Sequence, residues 1–420
     1  MTDSVPPALI AAVDESRQWA RLMGMAMLGA IPGDGVNRAA LTVLDRQARR
    51  LLILWAQEIG LAVSVDEMGN LFLRHEGTEP GAAPVLTGSH MDTQPSGGRF
   101  DGIWGVVAAL EAVQVIREAG LSTRRPIEIV SWTNEEGGRF APGCMGSMAW
   151  AGAKPANSWD HVTDAEGISF RAALDDHLAA EADLARRPLG GQPFAYVEAH
   201  IEQGPMLEAD LRDIGIVTGI QGSRWFVVDI LGQSDHAGTA PLALRHDAVQ
   251  DMVRAVAALN TLTHDPDDVL RFTVGRIELH PNTSNSVAGR ARFSVDLRHP
   301  DAAVLARIGD TVESTVTAAL RTCTASVTES FNAVPTVFHN LVPDAVESAA
   351  AATGLRALRM PSGAFHDAQF MAAVCPSGMI FVPSRGGVSH HPSEYTSPEQ
   401  LAAGAKVLAA TVYDLANRQG

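Results

Sequence analysis

Cysteine is scarce in this chain, with 3 in 420 residues. Cys144, Cys323 and Cys375 are odd in number, far apart and without a C-x-x-C pair. That pattern argues against a disulfide framework and fits free thiols in a reducing cytoplasm. Long apolar runs are missing too: no stretch approaches the ~18 uninterrupted apolar residues of a membrane span. The opening Met1-Thr2-Asp3-Ser4-Val5 lacks the basic and then apolar pattern of a signal peptide. Basic residues are outnumbered, 32 Lys and Arg against 48 Asp and Glu, for a net charge of -16. Such a balance argues against nucleic acid or an anionic membrane as partner. Repeats, low-complexity tracts and long linkers are also absent. What is present is globular: 46% hydrophobic and 19% charged residues, at a length for two domains or one large domain with an insertion.

Residues 7 to 60 read as helical, with apolar spacing through Ile10, Val13, Trp19 and Leu22 and again through Leu41, Leu44, Leu51 and Leu54. The breaker-rich Gly33–Arg38 between them reads as a helix connection. Leu61–Val65 and Leu71–Arg74, flanking Met68-Gly69-Asn70, predict a hairpin. Then comes the stretch around which the chain is organised, G-S-H-M-D-T-Q-P-S-G-G-R-F-D-G over residues 88–102. It follows the apolar Pro84-Val85-Leu86 and precedes a helix-like run from Val106 to Ile116. It therefore reads as a glycine-rich loop leaving the carboxyl end of a strand, where open α/β sheets bind ligands. A phosphate cradle would offer backbone N–H groups and a Lys. This loop has no Lys, and its acids would repel an anion, so metal is the better reading.

Three more strand-like runs end in metal-capable residues. Ile127–Trp132 leads into Thr133-Asn134-Glu135-Glu136, Ala195–Ala199 into His200-Ile201-Glu202-Gln203, and Met379–Val382 into a segment holding His390 and His391. If the strands are parallel, these ends share one edge and their side chains can converge. Between about 215 and 330 the order is strand (225–231), helix (247–262), strands (272–279 and 291–297), helix (301–320) and strand (325–328). That β-α-β-β-α-β order is ferredoxin-like. The expected architecture is an α/β catalytic domain (1–214 and 331–420) with an inserted α+β domain (215–330), hinged near Gly215–Gly222. A loop-rich excursion over 153–193 carries a weak helix near Phe170–Leu184.

His90, Asp101, Glu136, His200 and His390 form a ligand set of nitrogen and oxygen without sulfur. Five ligands exceed one tetrahedral zinc and suit two divalent ions bridged by a carboxylate. Asp92, two residues after His90, is placed to hold that ring's second N–H from outside the ligand set.

These residues resemble the dinuclear zinc amidohydrolases of the aminoacylase-like metallopeptidase family, in the hydantoinase/carbamoylase branch. That branch holds N-carbamoyl-L-amino-acid hydrolases, β-ureidopropionases and allantoate amidohydrolases. The resemblance runs from Gly35-Val36-Asn37-Arg38 to S-H-H-P-S-E at 389–394. It is most specific in the 88–102 stretch, W-T-N-E-E-G-G-R-F, H-I-E-Q-G-P, D-H-A-G-T-A-P around His236, and F-S-V-D-L-R ending at Arg298. It implies that one zinc takes His90, Asp101 and His200, that the other takes Asp101, Glu136 and His390, and that Glu135 is the general base. Manganese or cobalt are alternative metals. Family alignment prefers His390 to His391 as ligand.

By the same resemblance, His236 serves catalysis near the scissile carbonyl, and Gln203, Asn285, Arg298 and His366 bind substrate, with Arg298 on its carboxylate. The inserted domain would act as lid and mediate a homodimer. The implied activity is hydrolysis of the carbamoyl C–N bond of N-carbamoyl amino acids. An allantoate amidohydrolase, an aminoacylase and a catalytically silent metal-holding protein are the rivals. D-T-Q-P and G-G-R-F-A-P lean towards β-ureidopropionase rather than allantoate. Three positions depart from the family: Phe365 where relatives carry glycine, Ala240 for a frequent Thr, and Ala288 for a frequent Pro.

Overall fold

The computed structural model describes residues 6–419, and the Met1–Val5 segment read for a signal peptide lies outside them. After one helical turn over Pro7–Ala11 come helices α1 (Glu15–Ala26) and α2 (Val43–Glu58), each begun by a side chain that accepts a free N–H: Asp14 from Arg17 and Thr42 from Asp45. The expected hairpin follows as β1 (Ala62–Val65) and β2 (Leu71–His75). Next come β3 (Val85–His90), α3 (Ile103–Glu118), β4 (Ile127–Trp132), β5 (Ala195–Ile201) and β6 (Ile214–Ile220). A second group comprises β7 (Gly222–Leu231), α4 (Ala248–Leu262), β8 (Arg271–Thr273), β9 (Ile277–His280), β10 (Arg290–His299), α5 (Ala302–Gly309), α6 (Val312–Ala319) and β11 (Thr324–Ala333). The chain closes with α7 (Leu341–Thr353), β12 (Ala357–Ser362), β13 (Ser377–Val382) and α8 (Pro398–Asn417). It divides into two compact units, Met1–Gly219 with Val337–Gly420, and Ile220–Thr336.

The first unit is built on a mixed sheet in the order β6-β13-β5-β3-β4-β2-β1. Its centre, β13-β5-β3-β4, is parallel throughout, and these are the four strands whose ends carry metal-capable residues. Strand β6 runs antiparallel to β13, β2 antiparallel to β4 and β1 antiparallel to β2, and they flank that core. The central strands are buried on both faces along their whole length rather than on alternate residues. Helix α3 is buried from Ile103 to Ile116 and packs on β3 and β5 beside α8, so it is hydrophobic all round.

Two expectations for this unit need correction. His90 and His200 are not loop residues: β3 runs through Gly88 and Ser89 to His90, and β5 through His200 to Ile201. Gly88 read as a breaker, but it lies in the sheet at φ +141, where a Cβ would stand 1.9 Å from the Val130 carbonyl oxygen. The second correction concerns Gly33–Arg38, which is more than a helix connection. Gly35–Val36 pairs with Ala30–Ile31, and Val36 exchanges hydrogen bonds of 3.0 and 3.1 Å with Gly97 in the 88–102 stretch.

The second unit is an antiparallel sheet in the order β8-β10-β7-β11, with β9 also on β10. Taken as chain positions, that is second, third, first and fourth, the ferredoxin-like arrangement of the expected β-α-β-β-α-β order. Met252, Ala255 and Leu259 of α4 and Leu305, Ile308 and Val316 of α5 and α6 bury Phe226, Val228, Ile230, Phe293 and Val295. The single strand expected over 272–279 is split. From Thr273 to Ile277 the chain advances four residues while β10 advances three, from Phe293 to Asp296, so one residue bulges near Gly275. The helix expected over 301–320 is also broken, at Asp310-Thr311. There the Thr311 hydroxyl donates to the Ile308 carbonyl at 2.8 Å, taking the acceptor that a continuing helix would offer to Val312. Among the described residues no helix is long and apolar enough to cross a membrane, and all three cysteines are free.

One buried cation ties the N-terminal segment to the sheet. Arg38 donates from Nε to the Met91 carbonyl at 2.8 Å and from Nη1 to those of Met25 and Leu28 at 3.0 Å. Burial pushes its guanidinium down to about 10, against the pull of Asp45 and Asp92. Arg38→Met strips these carbonyls of their donor and should lower stability by roughly 3 kcal/mol. The urea unfolding midpoint measures this, and an unchanged midpoint would mean that the carbonyls find other partners.

Candidate metal centre

The sheet edge brings two imidazoles to one carboxylate. His90 and His200 lie on adjacent strands and are buried. Nδ1 of His90 sits 3.0 Å from the backbone oxygen of Asp92, and Nδ1 of His200 sits 2.8 Å from that of Ile201. Each carbonyl accepts a hydrogen bond from Nδ1 and so turns Nε2 inward, where that of His200 also meets the Gly102 N–H at 3.2 Å. Both Nε2 atoms face Oδ1 of Asp101, at 3.7 Å for His90 and 3.1 Å for His200. Gly102, at φ +64, closes the loop beneath the His90 ring, where a Cβ would come within 2.2 Å of Cε1.

Asp92 therefore orients His90, but through its main chain; its carboxylate is 3.7 Å from Nδ1. That side chain instead accepts the backbone N–H groups of Glu135 and Glu136, both at 3.2 Å, and fixes the turn after β4.

The other oxygen of Asp101, Oδ2, faces a second group. His390 Nε2 lies 3.4 Å from it and 3.4 Å from Glu136 Oε2. Gln94 holds the Glu136 carboxylate, donating its backbone N–H at 3.1 Å and its side-chain Nε2 at 2.9 Å. Gln203 Nε2 donates to Asp101 Oδ2 at 2.8 Å and lies 3.4 Å from His390 Nε2, so it reaches into this group. Among the described residues the donor sets are His90, Asp101 and His200, and Asp101, Glu136 and His390, each with its ligand atoms within 4.8 Å of one another. Asp101 belongs to both. His391 belongs to neither: its Nδ1 takes the Ser393 hydroxyl at 2.7 Å and backbone N–H at 3.1 Å.

Five acids are crowded together at the centre. Burial first, then Asp367, Glu136, Asp92 and Asp101, push Glu135 well above the usual carboxylate range. Burial, then Asp101 and Asp92, do the same to Glu136. Burial opposes the charge on His200, but the Asp101 carboxylate outweighs it and lifts the imidazole to about 9. Among the described residues the ion-pair partners of Asp101, Glu135 and Glu136 are histidines alone. Nitrogen and oxygen donors, two fixed tautomers and an uncompensated excess of acid together fit divalent cations.

Glu135 stands apart from both donor sets. Its Oε2 is 3.3 Å from His90 Nε2, and its Oε1 accepts the Cys144 thiol at 3.5 Å. His366 is buried against His200, with ring centroids 4.5 Å apart, and its Nε2 has no hydrogen-bond partner. Burial, reinforced by His200, keeps it neutral far below the ordinary histidine range.

His236, Asn285 and Arg298 belong to the second unit. Asp235–His236 pairs with Ser286–Val287, and the Asn285 carbonyl accepts the Ala237 N–H at 3.0 Å, so His236 and Asn285 are neighbours. Nδ1 of His236 accepts the backbone N–H groups of Gly238 and Thr239 at 3.0 and 3.2 Å. A neutral ring so engaged carries its proton on Nε2 and can donate it. Arg298 lies on β10 and donates from Nε and Nη2 to Asp296 at 3.1 and 2.9 Å. Where Ala240 replaces the frequent Thr, Arg245 holds that loop by its Ala240 carbonyl, at 3.0 Å from Nε.

Gln94, Cys144, Ser389 and Glu394 touch the centre's residues, and sequence reasoning assigned them no part. Three of them lie inside the motifs or beside the runs that carried the reading, as Gln94 in the 88–102 stretch and Ser389 and Glu394 in 389–394. Their partners, however, are set by the folded chain.

The profile of Peptidase family M20/M25/M40 matches residues 86–414. An N-carbamoyl-L-amino acid amidohydrolase of Geobacillus stearothermophilus is 39% identical over 411 residues, covering 96% of this chain and 99% of that protein. An allantoate amidohydrolase of Bacillus subtilis (strain 168) is 34% identical over 394 residues, covering 93% and 95%. A crystal structure of an amidase of the hydantoinase/carbamoylase family from Burkholderia multivorans superposes with a TM-score of 0.92 at 41% identity, covering 97% of this chain and 99% of that one. Similarity of this extent, in sequence and in fold from end to end, makes this chain a member of peptidase family M20/M25/M40, in its hydantoinase/carbamoylase branch.

Proposed function

We propose that this enzyme hydrolyses the carbamoyl C–N bond of an N-carbamoyl amino acid, of the L-carbamoylase or β-ureidopropionase type, to the amino acid, CO2 and ammonia. One observation carries the reading: Glu135 is buried beside two metal-fit donor sets that share Asp101, yet it is part of neither. A carboxylate so placed is free for proton transfer. The relatives with matching length named as N-carbamoyl-L-amino-acid amidohydrolases supply the substrate class.

His90, Asp101 and His200 would hold one divalent cation and Asp101, Glu136 and His390 a second, zinc in both places, with manganese or cobalt as substitutes. Such ions polarise a carbonyl and make water a better nucleophile near neutral pH. Glu135 accepts the proton that water loses and returns it to the departing nitrogen. His236 donates from Nε2 to the developing oxyanion, and Asn285 binds beside it. Arg298 offers a planar fork to the substrate carboxylate. Gln203 and His366 complete the substrate contacts. The second unit serves as lid and as the dimerisation domain, and the three free thiols support a cytoplasmic setting.

Glu135→Gln should leave the metal content unchanged and lower kcat by about 10²- to 10⁴-fold, measured by metal analysis alongside steady-state kinetics. Near-normal kcat would remove Glu135 from proton transfer. Arg298→Ala should raise KM for carboxylate substrates by roughly ten- to a hundredfold with a smaller change in kcat, and an unchanged KM would free it of that role. A panel of N-carbamoyl-L-amino acids, N-carbamoyl-β-alanine, allantoate and N-acetyl amino acids, with and without chelator, tests the reaction itself. N-carbamoyl substrates should be turned over in a chelator-sensitive way. Allantoate or N-acyl turnover alone would overturn the assignment.

A further inference from the structure

Two segments of the first unit far apart in sequence meet at one buried carboxylate that belongs to neither donor set. Oε1 of Glu394 accepts the backbone N–H groups of Phe100 and Asp101, each at 3.1 Å. Its Oε2 lies 2.8 Å from the Ser389 hydroxyl, and that same hydroxyl stands 3.0 Å from Oδ2 of Asp101. Glu394 also donates its own N–H to the His391 carbonyl at 3.0 Å, closing the turn that carries His390. The approach is possible only over glycine, because a Cβ on Gly98 would stand 2.1 Å from Glu394 Oε1.

We propose that Glu394 is a positioning residue of the metal centre, which sets the Asp101 carboxylate directly through the backbone and indirectly through Ser389, and holds His390 in register with it. The inference rests on the metal-centre reading and extends it to a residue outside the ligand sets. The physical reason lies in Asp101. A carboxylate that must offer one oxygen to each of two groups tolerates little movement, so both the backbone that carries it and its oxygens must be held. Glu394 supplies the first, and the Ser389 hydroxyl that it orients supplies the second. Outer partners of this kind tune metal affinity by ~10- to 100-fold. A purely structural tether would move the unfolding midpoint and nothing else.

The full-length protein is loaded with zinc and dialysed against a graded chelator, and zinc per chain, kcat and KM are measured for the wild type and three variants. Glu394→Ala should weaken zinc retention by ~10- to 100-fold and lower kcat in proportion, with KM within about threefold. Glu394→Gln keeps an oxygen for the two N–H groups and an amide that can donate to Ser389, so retention and kcat should return to within about threefold of wild type. Ser389→Ala removes the hydroxyl alone and should weaken retention by a smaller factor, and it carries the test if Glu394→Ala does not fold. Wild-type retention in Glu394→Ala or, failing that variant, in Ser389→Ala overturns the positioning role, as does a Gln variant that behaves like Ala. A wild-type protein that retains no divalent ion overturns the metal-centre reading and this inference with it.

Discussion

A single carboxylate facing two ways sets the terms for the rest of the first unit. Asp101 turns Oδ1 to His90 and His200 and Oδ2 to His390, Gln203 and Ser389. Holding it there requires burial, and burial forces Asp92, Glu135 and Glu136 into the same space. Close acids in a poorly solvated site repel each other, and the rise in the pKa of Glu135 and Glu136 is the outward sign. Divalent cations would relieve that repulsion. The crowding that would be a defect in an empty core therefore suits a metal-dependent hydrolase.

The sheet makes the crowding possible. Strands β13, β5, β3 and β4 are parallel neighbours, so their carboxyl ends lie along one edge. Parallel strands need long crossover connections, which here include the buried α3 between β3 and β4. The residues beyond each strand end are then free of the ladder and able to turn inward. Asn134 and His390 do so at positive φ, +55 and +53. Their neighbours are held by hydrogen bonds to backbone N–H groups: Asp92 holds the Glu135-Glu136 turn, and Glu394 holds Phe100 and Asp101. In both cases an acid outside the donor sets shapes the chain that carries them.

Much of this was legible in the chain. Ile127–Trp132 is six buried residues in an uninterrupted β-prone run, and it is a strand over those residues. The ferredoxin-like order was readable because its strands alternate and its helices repeat at helical spacing, each with a clear terminus. Other features were hidden for stateable reasons. Gly88 read as a loop residue because glycine usually breaks strands, whereas here it makes room for the Val130 carbonyl. Thr311 breaks a helix that the apolar spacing carried through, since its hydroxyl's claim on the Ile308 carbonyl leaves no periodic trace. Asp92 was read as the partner of the second His90 N–H, but the atom that makes the contact, its carbonyl, was hidden, because spacing does not say whether a residue acts through its carboxylate or its carbonyl.

The sequence by itself determined which chemistry was available: histidines and acids at the ends of four apolar runs, no sulfur pairing, and an inserted α+β segment. Those are local facts, set by residue type, by the alternation or continuity of apolar positions, and by the breakers between them. Only the tertiary structure decided that β13 lies against β5, that Asp101 splits its oxygens between two donor sets, and that Glu394 reaches back across the chain to the Asp101 backbone. One buried apolar strand resembles another, so nothing local selects its neighbour. Adjacency comes from satisfying every backbone hydrogen bond and filling the core at once, a condition that exists only when the whole chain is folded.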